Sequence, residues 1–282
     1  MQNSLRHTLA TLSLLALCAR CSSPLPAASR VRGLRVLAVQ SLPAELGPAD
    51  TAATVRAITV DGAQPADAGD LRIRSIRWFF CDDSHTSDPV GCARSPSAHS
   101  PAGDGDAITV ARSQLGPQRA RGLLVALCPG AAATYDSALS IINCPDERGR
   151  PWSETEGVLA FYAVRAAADG VAANRAPVIE ALAINDATDD VVTVPRCAGD
   201  PCPSIDWVLT PSAESAEPTA MGREALTVSF FATDGSFDRP RAITAASSDG
   251  RDGSLRAKWT PPRAAGEVRA WVVLRDDRGA SA

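Results

Sequence analysis

The sequence predicts an all-β protein built as two β-sandwich modules, and three observations carry that expectation. Short segments rich in Val, Ile, Thr, Phe and Trp recur along the chain between turn residues, with 20 Gly and 21 Pro among 282 residues. Six cysteines fall into three sequence-local pairs, each bracketing a polar loop. Trp78, Trp207, Trp259 and Trp271 lie in or beside the strand-like segments, where a large ring fills the space between two sheets. Short strands, strand tryptophans and long irregular turns together describe an immunoglobulin-like sandwich, although a barrel shares these signals.

The chain opens on a short positively charged stretch, residues 1–7, followed by an apolar run at 9–19 (LATLSLLALCA). This run has the length of a signal-peptide core and is short for a membrane span, so export is expected, with residues 1–21 as the signal peptide and lipobox region. Leu15-Ala16-Leu17-Cys18 resembles a bacterial lipobox except at Leu17, where a small residue is preferred. Cys21, preceded by Arg20, is the second lipidation candidate. Parity favours Cys21, or removal of both, because six cysteines then remain to pair. Residues 22–30 read as a tether. A lipidated cysteine attaches a protein to a membrane without a spanning helix.

The first module is expected over residues 31–168. Segments 31–40 and 51–60 read as strands, the second placing Ala53, Val55, Ala57 and Thr59 on one side. Segment 71–81 (LRIRSIRWFFC) is the central strand, with Trp78 for the core and Cys81 to tie the loop that follows. Residues 82–104 read as a polar excursion, 107–111 and 122–128 as strands, and 129–151 as a long connection with a helical turn near 134–142. Segment 158–168 (VLAFYAVRAAA) has helix-forming composition, but its apolar residues make no helical stripe, and strand is preferred.

A linker at 169–177 leads to a second module at 178–282. Its expected elements are 178–184, 191–194, 206–210, 225–232, 255–259 and 268–275, with loops at 196–202, 211–222 and 233–254. The chain ends shortly after Gly279, where a sandwich ordinarily adds a closing strand; the exposed edge is expected to be covered by an upstream segment or open to a partner.

The cysteine pairs Cys81/Cys92, Cys128/Cys144 and Cys197/Cys202 are disulfide candidates, since export permits oxidation. Six cysteines allow fifteen pairings, so connectivity stays open from sequence. Cys197 and Cys202 have a spacing within the range of zinc ligands, but no second Cys/His pair stands near them, and no pair has the C-x-x-C form of a redox catalyst.

The formal charge of −4, with Lys258 the only lysine and the arginines interleaved with acids, offers no basic surface for nucleic acid. Asp82, Asp83 and His85, with Asp88 nearby, form the one loop that joins carboxylates to an imidazole, and they are the first candidates for a binding site. Trp152, in a loop, is the aromatic candidate for a ligand or glycan contact. No Gly-x-Ser-x-Gly elbow is present, and only His85 and His99 could serve as a base after export. Asp104/Asp106, Asn185/Asp186/Asp189/Asp190, Asp249/Asp252 and Asp276/Asp277 lack the spacing of a calcium loop and suit turns. No catalytic, metal or cofactor residue is assigned, and the protein is not expected to be an enzyme.

The segments Val31-Arg-Gly-Leu-Arg-Val-Leu-Ala-Val39, Arg77-Trp-Phe-Phe-Cys81, Ser229-Phe-Phe-Ala-Thr-Asp-Gly-Ser-Phe237, Trp259-Thr-Pro-Pro262 and Trp271-Val-Val-Leu-Arg-Asp-Asp-Arg-Gly279 are similar to uncharacterised lipoproteins of the myxobacterial kind. In those proteins a lipidated N-terminus precedes immunoglobulin- or PKD-like β modules. The resemblance implies a fold and a location, and no active residues. The functional expectation is a non-catalytic cell-envelope protein, lipid-anchored at the outer membrane or else periplasmic or secreted. It would bind or scaffold an envelope protein or surface glycan. Carbohydrate binding, a hydrolase-accessory role or a metal-dependent reaction at the Asp82–His85 loop are the alternatives.

Overall fold

The structure is a computed structural model that describes residues 28–62, 75–94, 96–145, 148, 157–219, 222–244 and 253–282. The signal-peptide region, Cys18, Cys21, most of the tether and Trp152 lie outside the described residues, as do the first four residues of the expected strand at 71–81.

The fold is all-β, with several antiparallel sheets. In the N-terminal half, β1 (Leu34–Leu42), β2 (Ala52–Asp61) and β5 (Ala107–Ala111) form a sheet in the order β1-β2-β5. A second sheet has the order β4-β3-β6-β9, from β4 (Pro96–Asp104), β3 (Ser75–Cys81), β6 (Ala120–Cys128) and β9 (Val158–Arg165). Alternation along β2 buries Ala53, Val55 and Ala57 while Thr54 and Arg56 stay exposed. These residues join Val110 of β5 and Trp78, Leu123, Val125 and Val164 of the other sheet in one core. Trp78 is fully buried, and its indole N–H donates to the Gly105 carbonyl at 2.9 Å.

β6 is buried on both sides, which is why it reads as an unbroken apolar run. Leu124, Ala126 and Cys128 point away from the inter-sheet core into a second cluster with Phe79, Cys81, Cys92 and Ala133. The covering pieces are the connections that leave β3 and β6. After β3 come a 3-10 turn (Asp83–His85) and the short helix α1 (Pro89–Arg94). After β6 comes a hairpin of β7 (Thr134–Asp136) and β8 (Ile141–Asn143), where a helical turn was expected. Asp136 selects the hairpin, its Oδ1 accepting the backbone N–H groups of Ala138 and Leu139 at 2.9 and 3.2 Å. Disulfides Cys81–Cys92 and Cys128–Cys144 fasten the two covers.

Two further expectations are corrected in this half. The polar excursion at 82–104 contains β4, which pairs with β3 through two register shifts. Pro96 and Pro101 suit an edge strand, where a missing N–H costs no ladder bond. Segment 158–168 forms a strand only as far as Arg165, in register with β6 from Leu127↔Val158 to Ala120↔Arg165.

In the C-terminal half, β10 (Ile179–Ile184), β11 (Ile205–Pro211), β17 (Leu255–Thr260) and β15 (Ser236–Phe237) give the order β10-β11-β17-β15. The facing sheet has the order β16-β14-β18, from β16 (Arg241–Ile243), β14 (Thr227–Ala232) and β18 (Ala270–Arg275). A small hairpin, β12 (Pro218–Thr219) with β13 (Gly222–Arg223), stands apart. Trp207, Leu209, Trp259, Val228, Phe230 and Leu274 form the core, with Trp207 edge-on to Phe230 and Phe237. Segment 191–194 is in no strand. The third disulfide, Cys197–Cys202, closes the loop before β11.

The two halves are packed together. Leu37, Ala38 and Val60 of the first sheet share a buried cluster with Val273, and Phe231 and Trp271 pack against it. Residues 28–30, expected as tether, are hydrogen-bonded to β14 through Ala232 N–H to Ser29 O at 3.0 Å, next to Val31 N–H to Ala232 O at 2.9 Å. The stretch expected as a linker is held as well: Asn174 is buried, and its side-chain amide donates to Asp276 at 2.9 Å. The outer edge of β18 is covered by the chain's own last residues, through reciprocal bonds between Leu274 and Ala282 of 3.0 and 2.9 Å.

Candidate functional site

The loop after β3 holds Asp82, Asp83 and His85. Arg121 Nη1 donates to Asp83 Oδ1 at 2.6 Å while its guanidinium lies 5.0 Å over the Phe80 ring. The Thr86 hydroxyl donates to the Asp83 carbonyl at 3.0 Å, and His85 Nδ1 lies 3.4 Å from Asp88 Oδ2. The backbone N–H of Gly91, with that of Val90 and the nearby imidazole, holds the Asp88 carboxyl below its usual range. A Cβ at Gly91 would meet His85 Nδ1 at 2.2 Å, so the turn closes on itself there. Asp83 and His85 are thus engaged with different partners, and among the described residues no three His, Cys, Asp or Glu side chains gather as a metal site.

Two of the acidic clusters have local explanations, and Asp249/Asp252 lies outside the described residues. Asp104 takes a two-pronged hydrogen bond from Arg77, at 2.6 and 3.1 Å, and Asp106 lies 3.4 Å from Arg56. Asn185 and Asp186 adopt left-handed φ of 51° and 66° in the turn that ends β10, a conformation these residue types tolerate.

A different site emerges where the halves meet. On β14 and β18, Val228, Phe230 and Leu274 point into the core, so Thr227, Ser229, Val273 and Arg275 point outward. Register places Arg241 of β16 opposite Ser229, and Arg275 opposite Thr227. β1 lies over this outward face with Leu37 and Ala38 beside Val273. The result is a cleft of about 470 Å³ lined by Arg35, Ser229, Phe231, Arg241, Arg275 and Asp276, among others.

The cleft is cationic. Arg275 is anchored, its Nη2 donating to the Leu37 carbonyl at 2.5 Å and its Nη1 to Ser229 Oγ at 3.5 Å. Burial, and then the neighbouring Arg241 charge, hold the Arg275 guanidinium below the ordinary arginine value. Burial acts the same way on Arg35, which lies 5.4 Å over the Phe231 ring. Asp276 is turned to its own loop, accepting from Asn174 and from the Ala280 N–H at 2.8 Å, and burial pushes its carboxyl up. Neither Arg35 nor Arg241 has a carboxylate partner among the described residues.

An adjoining cleft of about 330 Å³, sharing Val36, Leu37 and Arg275, has the opposite character. Its Arg278 is matched by Glu217, Glu224 and, at 3.9 Å, Glu45. Tyr162 there is pushed up to about 12 by burial and bonds to the Ser41 side chain. Arg278, unlike the arginines of the larger cleft, is thus taken up by carboxylates of its own chain.

Sequence reading missed the arginine cleft. Its residues come from three distant segments, and their only signal is an arginine on the non-core side of each strand, which has no meaning until register brings them together. No family model matches the chain, and no curated protein matches it.

Proposed function

We propose that this chain is a non-catalytic binding or scaffolding protein of the cell envelope. In this reading it is exported, lipid-anchored at the outer membrane through Cys18 or Cys21, and built of two immunoglobulin-like modules. The observation that carries the reading is the oxidised state of the fold: all six described cysteines are paired, each within one local loop. Disulfides of this kind persist in an oxidising compartment, which agrees with an apolar leader followed by cysteine. The likeness to myxobacterial-type lipoproteins points the same way. The disulfide-fastened covers of β3 and β6 are the surfaces offered to a partner, since rigidly held loops present binding residues at low entropic cost. Trp78, Trp207 and Trp259 are buried in the cores and so do not build a sugar-stacking face.

Intact-mass analysis of protein extracted from membranes tests this. The expected mass is that of a chain beginning at Cys18 or Cys21, carrying a diacyl or triacyl group, with six cysteines oxidised. A full-length unmodified chain with reduced cysteines, recovered from cytosol, would sink the proposal.

A further inference from the structure

We propose that the cleft between β1 and the β16-β14-β18 sheet is an oxyanion site that takes a phosphate group. The inference rests on the cleft itself and holds whether or not the chain is lipidated. Arg241 and Arg275 project from the same face in adjacent rows across β14, and Arg35 approaches from β1. The strands of Arg241 and Arg275 flank β14, and like charges gathered in one cleft of low dielectric repel unless an anion lies between them.

Several arginines elsewhere in the molecule are matched by carboxylates. Arg30 pairs with Asp234, Arg77 with Asp104, Arg119 with Asp169, Arg121 with Asp83, and Arg278 with its glutamates. In the cleft, three guanidinium groups face one carboxylate, and that carboxylate, Asp276, is held by Asn174 and the Ala280 N–H. The excess positive charge calls for a dianion.

Geometry selects phosphate over carboxylate. A planar carboxylate is satisfied by one guanidinium fork, whereas a tetrahedral phosphate presents oxygens to donors arriving from several directions. Here the donors come from three strands, and the Ser229 hydroxyl lies between two of them, bonded to Arg275. Phe231 beneath Arg35 gives the third guanidinium a fixed platform.

Calorimetric titration of the purified, disulfide-bonded protein with inorganic phosphate at constant ionic strength tests the site. Binding is expected, with a rise in Tm that equal chloride does not produce. Arg241→Gln, a change at an exposed side chain, is expected to weaken phosphate binding about tenfold or more, and Arg35→Ala likewise. Arg263→Ala, in the exposed loop after β17, should leave it unchanged. Co-sedimentation with phosphatidylcholine vesicles containing phosphatidic acid identifies the source. Sedimentation lost in Arg241→Gln assigns the phosphate to a lipid headgroup, and phosphate binding without sedimentation assigns it to a soluble group. No binding of phosphate, an equal response to acetate, or an equal loss in Arg263→Ala would overturn the proposal.

Discussion

Arg77 shows how a single residue carries structural information that composition conceals. In the sequence it is one of several arginines that blur the alternation of segment 71–81. In the fold its guanidinium donates to both oxygens of Asp104 and, through Nη1 at 3.0 Å, to the Ala133 carbonyl, tying β3 to β4 and to the loop before β7. That hydrogen bond, helped by the Arg77 charge and opposed by burial, holds the Asp104 carboxyl below its usual range. A depressed folded-state pKa contributes stability that is present above the unfolded carboxylate range and is lost as pH falls through the folded value. Asp104→Asn should therefore lower stability by about 0.5–1 kcal/mol at neutral pH, the scale of a well-aligned exposed pair. The gap from wild type should close in acid; urea midpoints for both proteins from neutral pH to about pH 2 check this, and a gap constant over that range refutes it. The residues legible in the sequence were those whose partner is local, such as the paired cysteines. Arg77, Arg241 and Arg35 have distant neighbours, and no local pattern announces them.

At the level of elements, β6 was legible and β4 was not, for one physical reason. An interior strand buried on both sides must be apolar throughout, whereas an edge strand needs only one row of backbone partners. A segment with Pro96, His99, Pro101 and Gly103 consequently passes for a loop while pairing with β3. The layered packing around β6 also explains Gly122. A Cβ there would meet Cys81 Sγ at 2.8 Å and Phe161 at 3.2 Å, so the disulfide and the β9 ring occupy the space a side chain would need. Gly122→Ala is expected to destabilise by about 1–3 kcal/mol through overpacking. Removing the neighbouring crosslink with Cys128→Ala and Cys144→Ala should cost about 3 kcal/mol, the loop-closure entropy for a bridge spanning 16 positions. Denaturant unfolding of both variants decides the matter: stability equal to wild type in Gly122→Ala would mean the ring and sulfur give way, and in the double variant that the cover folds without its bridge.

For the whole molecule, sequence reading led to two modules joined by a polar linker, because each half has its own alternation, tryptophans and cysteines. It could not reveal the seam, since Leu37, Ala38, Val60 and Val273 look like ordinary strand residues until β1 is seen to be buried on both faces. Val39 faces the first core while Leu37 faces the second half, and a register shift between Val36 and Ala38 accompanies that division. Polar bonds reinforce the apolar seam: Arg275 to the Leu37 carbonyl, the Ser281 hydroxyl to the Val39 carbonyl at 3.2 Å, and Arg269 to the Asp61 carbonyl at 3.0 Å. Neither half can open without exposing this surface, so wild-type protein is expected to unfold in one calorimetric transition, with van't Hoff and calorimetric enthalpies in agreement. Val273→Asn sets a polar amide into the apolar contact with Leu37, Ala38 and Val60 while leaving both inter-sheet cores intact. It should split the endotherm into two, the first transition reporting the half whose core is left with less support. Two transitions in wild type would show that the seam does not couple the halves. One transition at lower Tm in Val273→Asn would show that coupling runs through the Arg275 and Ser281 bonds, because a neutral side chain at this place leaves those in position.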